Sequence, residues 1–152
     1  MAELRKLAAL ACALLLAACG GRVAEPDRKD PASVARAFVE AFNAKDLQRM
    51  LPLNDAVNIE AIAAALTDGV GSPAYDAIFD PYMVEVLAAE AGKVEGPRYD
   101  DGDAIMKVAA TERGDVYTIV LAKGEDDEWA IVAHTMMGRA QFEALPETPP
   151  EK

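Results

Sequence analysis

The chain has 152 residues, with 15 basic against 26 acidic side chains, a formal charge of −11, two Cys, one His and one Trp. That length fits a single domain. Phosphate contact needs a positive surface, so a nucleic-acid binder is excluded, and so few Cys and His exclude a zinc cluster.

The N-terminus opens with a positive segment, Arg5-Lys6, followed by an unbroken small and apolar run from Leu7 to Ala18. The run is too short to cross a hydrocarbon core as a helix, which takes about 20 residues. A charged start before a short apolar run is the shape of a secretory signal. The next residues are more specific. Leu16-Ala17-Ala18-Cys19 resembles the lipobox of bacterial lipoproteins: an aliphatic residue, two small residues and Cys. The resemblance implies removal of residues 1–18 as a signal peptide, a diacylglyceryl thioether on Cys19, and acylation of the new terminus. Cys12 falls within the removed segment, so the mature chain is expected to carry neither a free thiol nor a disulfide, even in an oxidising compartment.

Without residues 1–18 the balance becomes 13 basic against 25 acidic, or −12. An anionic lipid surface repels such a chain. Membrane attachment then rests on the acyl chains of Cys19, and two or more chains anchor stably. Gly20 stands where an acidic residue retains lipoproteins of enteric bacteria in the inner membrane. The expected location is therefore the cell envelope, at the periplasmic face of the outer membrane.

Residues 19–30 read as a lipidated tether, with two Gly, one Pro and several charges after the Cys. The eleven residues after Cys19 reach at most about 36–40 Å. The tail 146–152, with three Pro, is expected to be disordered. The folded unit is expected over 31–145.

Within it, Asp30-Pro31 signals a helix start, since Asp caps and the missing Pro N–H is no loss in the first turn. Val34, Ala35, Phe38, Ala41 and Phe42 then share one face. Asp46 caps a short second helix that Pro52 ends. Asn54-Asp55 or Asn58 starts a third, running through Ile59, Ile62 and Leu66 to Asp68-Gly69. Ser72-Pro73 and Asp80-Pro81 repeat the cap-then-proline signal, and Gly92 is a stop for the last helix.

After Gly92 the pattern changes. Segments 93–99, 104–110, 115–122 and 128–137 are short and rich in β-branched residues. Asp100-Asp101-Gly102, Arg113-Gly114-Asp115 and Gly124-Glu125-Asp126-Asp127 separate them as hairpin turns. Strict alternation places Trp129, Ile131, Ala133 and Thr135 on one face of the last strand, and Val132, His134 and Met136 on the other.

Helices followed by an antiparallel meander predict an α+β fold, N-terminal helices packed on a curved antiparallel sheet of about four strands. Here a second resemblance enters. Asp30-Pro31, Val34, Phe38 and Ala41-Phe42-Asn43-Ala44-Lys45-Asp46-Leu47 are similar to the opening of nuclear transport factor 2-like domains. Asp127-Glu128-Trp129-Ala130-Ile131 is similar to their closing strand. The resemblance covers about 31–145 and implies a cone with an interior lined by helix and sheet.

That fold carries both enzymes and binding domains, so it assigns no activity. His134 is the one imidazole available as a base near neutral pH. Tyr75, Tyr82, Tyr99 and Tyr117 are candidate hydroxyls for an oxyanion. Isomerases of the ketosteroid type also use an interior carboxylate on a strand, and 104–110 and 116–122 carry none. The acidic turns lack the ligand alternation of a calcium loop. No metal or cofactor is expected.

Two readings stand. The first is a non-catalytic tethered domain whose cone takes a small apolar ligand or an envelope protein, with Phe38, Phe42, Tyr82, Trp129 and His134 as lining. The second is a small enzyme of the ketosteroid isomerase or dehydratase type using His134 with a tyrosine. The second resemblance also implies a homodimer through the sheet face.

Overall fold

A computed structural model describes residues 24–89 and 93–150. The lipobox, Cys19 and the Gly92 stop lie outside them. Helix α1 spans Pro31–Asn43, and the Asp30 carboxylate accepts from the Ala32 N–H at 3.0 Å. Helix α2 spans Leu47–Met50 under an Asp46 cap. The α-helix stops before Pro52, as expected, and Pro52 itself sits inside a following 3-10 turn, Leu51–Leu53. Of the two candidate starts for α3 (Ala56–Asp68), Asp55 is the one used: its carboxylate accepts from the Asn58 N–H. Helices α4 (Pro73–Ile78) and α5 (Pro81–Ala89) begin at the two serine- and aspartate-capped prolines.

Strands β1 (Glu95–Asp100), β2 (Asp103–Ala110), β3 (Asp115–Lys123) and β4 (Trp129–Gly138) form one antiparallel sheet in the order β1-β2-β3-β4. Asp101 and Gly102 both have positive φ, 48° and 95°, as a two-residue hairpin turn matched to strand twist requires. The fold is α+β. The N-terminal helices pack on one face of the sheet, which does not close into a barrel. Val34, Phe38 and Phe42 of α1 form one core with Met106, Ile119, Leu121 and Ile131 of the sheet.

The opposite face has its own small core. A final helix, α6 (Arg139–Ala144), sets Phe142 on Ile105 and Val116. No capping side chain precedes it: Gly138 stands at its N-cap position. Helix α6 lies over part of the face that the resemblance offers to a second copy.

Strand β4 departs from strict alternation. Val120 pairs with Ala133, but the next residue of β3, Leu121, pairs with Ile131. Val132 is the extra residue of a β-bulge, and a bulge shifts the side-chain phase. Trp129 and Ile131 therefore share the helix-covered face with His134 and Met136, whose partners Ile119 and Tyr117 belong to that face. The alternation expected over 128–137 holds on each side of Val132 and fails across it.

Both ends of the domain extend past the expected boundaries. Asp27 donates its N–H to Ser33 Oγ at 3.0 Å, and the Trp129 N–H donates to the Arg28 carbonyl at 2.8 Å. The Arg28 guanidinium donates to the Pro52 carbonyl, and its Nε lies 3.1 Å from Glu128. Residues 27–30 are thus docked, unlike the flexible tether expected there. In the expected tail, Pro146 accepts from the Tyr99 N–H at 2.9 Å, and Glu147 pairs with Arg98 at 3.1 Å. No helix among the described residues is long and apolar enough to cross a membrane.

Candidate functional site

A cavity of about 300 Å³ lies between α1, the start of α3, the short helices α4 and α5, and the sheet. That is the lower end of the range for small-molecule sites. Each wall follows from the local fold. The 3.6-residue period of α1 puts Phe38 and Phe42 on its inner face, with ring centroids 6.0 Å apart. Met50 and Ile62 add apolar surface from α2 and α3, and Ile78 and Met83 from α4 and α5. The sheet contributes Tyr117 from β3 and His134 from β4.

Three of the five residues expected as lining, Phe38, Phe42 and His134, meet at this cavity. The Phe38 and His134 rings are 5.2 Å apart. Two others do not line it. Tyr82 stands in the first turn of α5, is 51% exposed, and places its hydroxyl 3.6 Å from Met136 Sδ. Trp129 sits five residues from His134, about 15 Å along the strand. There it packs against Tyr99 under the Lys123 ammonium, 5.2 Å from its ring. Cys19 is outside the described residues.

The sequence reading left Tyr117, one of its four candidate hydroxyls, out of the lining set, although its ring centroid lies 6.4 Å from that of His134. It also missed Asn54 and Asn58 as polar lining. Asn54 is only 5% exposed and donates its amide to the Met50 carbonyl at 2.8 Å. Asn58 donates its amide to the Ile131 carbonyl at 3.2 Å, beside the Asp55 N–H on the same oxygen at 2.9 Å. A signal for them was present. Two Asn four residues apart flank the Asp55 cap of an Ala-rich helix, Asn54 before it and Asn58 in its first turn, and Asn is a poor helix former.

The electrostatics are those of an uncharged pocket. No Asp, Glu, Lys or Arg is among the lining residues. His134 is exposed at the mouth, but its ring lies between Phe38 and Tyr117, and desolvation lowers its pKa. Desolvation, with a smaller contribution from Tyr82, pushes the Tyr117 hydroxyl up to about 12. That hydroxyl already contacts Met83 Sδ at 2.7 Å. At neutral pH the imidazole is therefore neutral and the phenol protonated. With no carboxylate on the lining to orient the imidazole, the site is better suited to holding an apolar molecule than to moving a proton. Among the described residues, no group of three or more His, Cys, Asp or Glu is placed to hold a metal.

Compared with family models, curated proteins and solved structures, the chain returns no match.

Proposed function

We propose that this chain is a lipid-anchored lipoprotein of the bacterial cell envelope, held through Cys19, whose nuclear transport factor 2-like domain binds a small apolar molecule without transforming it. The observation that carries the binding reading is the uncharged, largely apolar cavity at Phe38, Phe42 and His134. The anchoring reading rests on Leu16-Ala17-Ala18-Cys19 and on an acidic surface that would not hold a membrane by charge.

Each part has its own test. In a bacterial host, Cys19→Ser should leave the chain uncleaved or in the soluble fraction; a processed, membrane-bound variant contradicts the anchor. For the cavity, Ala61 lies on its rim and is solvent-exposed. Ala61→Trp should fill the opening and abolish ligand carry-over in native mass spectrometry while the fold persists. Equal carry-over in both proteins contradicts the binding reading.

The enzyme reading retains one supporting observation, the packing of His134 beside Tyr117. Turnover of a bound ligand that His134→Gln abolishes without weakening binding would establish it in place of simple binding.

A further inference from the structure

We infer that the occupant of this cavity is a neutral molecule that presents a hydroxyl or amide N–H donor to Asn54 and Asn58. The inference rests on the binding reading above and sharpens it to a ligand class.

The NH₂ groups of Asn54 and Asn58 each face a backbone carbonyl, of Met50 and of Ile131. A carbonyl oxygen only accepts, so in both side chains the nitrogen must be the atom turned to the backbone. The remaining atom is Oδ1, and no described residue donates to either one. Both residues line the cavity. The cavity thus offers two solvent-reached acceptors set in an apolar wall, and an occupant that displaces their water without supplying a donor leaves each unpaired at a cost of about 1–3 kcal/mol.

Charge narrows the class. A carboxylate or phosphate would bring its negative oxygens against two carbonyl dipoles, with no Lys or Arg on the lining to offset them. An ammonium would lose its water with no carboxylate to replace it. A neutral donor meets the acceptors without either penalty. The apolar remainder fits Phe38, Phe42, Met50 and Ile62, in a space of about ten water-sized groups.

Isothermal titration at pH 8, where the imidazole is neutral, can decide this with three probes. They are 1-octanol, its isomer 1-methoxyheptane, which has no donor, and octanoate. The alcohol should bind at least about ten-fold more tightly than the ether or the anion. Asn58→Leu, similar in volume, should cut the preference for alcohol over ether by at least about three-fold, with Asn54 holding the remainder. The Asp55 N–H still serves the Ile131 carbonyl in that variant, and the three-probe comparison on the natural chain stands whether or not the variant folds. Ether or octanoate binding as well as the alcohol would overturn the donor inference and leave apolar binding intact. If no probe binds, and Ala61→Trp behaves as the natural chain does, both fail together.

Discussion

The two halves of β4 belong to one strand but live in different surroundings. From Trp129 to Ile131 the inward side chains are buried, and the outer edge is clamped by other parts of the chain. The Arg28 carbonyl takes the Trp129 N–H, and the start of α3 donates twice to the Ile131 carbonyl. From Ala133 to Met136 every residue is exposed, and no described segment other than β3 and β4 itself bonds the backbone. Val132, the bulge, divides the two. One half builds the core, while the other, released from that duty, forms the cavity wall at His134. Stability and the proposed binding thereby fall to neighbouring stretches of one strand.

Side-chain truncation should separate them most strongly. Ile131→Ala removes a fully buried side chain and should cost about 2–5 kcal/mol. Met136→Ala, at a position 48% exposed, should stay within about 0.5 kcal/mol. Urea unfolding of both variants makes the comparison, and equal losses would erase the distinction between the halves.

A smaller effect should come from the clamp. Arg28→Ala deletes the donation to Pro52 and the contact with Glu128, both partly exposed, and should cost about 1 kcal/mol. Hydrogen exchange should quicken at the Trp129 amide and not at Met136. Uniform acceleration along β4 would mean that the clamp does not act locally.

The smallest effect is a pH dependence confined to the open half. Desolvation holds the folded pKa of His134 below its ordinary 6.5. As pH falls through 6.5 the unfolded chain takes up the proton first, so stability is lost from there down to the folded pKa. His134→Gln should remove that part of the acid sensitivity between pH 7 and 5, and should leave unfolding above pH 7 unchanged. A pH profile identical to that of the natural chain would show that the ring is fully solvated.

Much of this architecture is written in short-range chemistry. The caps at Asp30, Asp46, Asp55, Ser72 and Asp80 are legible because each acts within three residues. The Asp101-Gly102 turn is legible for the same reason. What escaped depends on residues far apart in the chain. The bulge at Val132 exists only in pairing with β3, and no feature of 128–137 alone marks it. Helix α6 is six residues long and held by Phe142 against strands that precede it. At the cavity, Phe38 and His134 were accessible through periodicity and rarity. Trp129 was misplaced because reading it as lining ignored the length of the strand between it and His134. Asn54 and Asn58 looked like caps, and only the fold sets them beside Phe38.

The docking of residues 27–30 bears on how the domain sits at its bilayer. With the anchor proposed at Cys19, eight peptide links remain before Asp27, a leash of no more than about 29 Å. The leash leaves from beside Arg28, at the clamped end of β4, and the mouth at His134 stands about 15 Å farther along the strand. Because that offset is shorter than the leash, the domain is free to turn the mouth toward either lipid or water, and the proposed mooring by itself leaves both routes open to a guest.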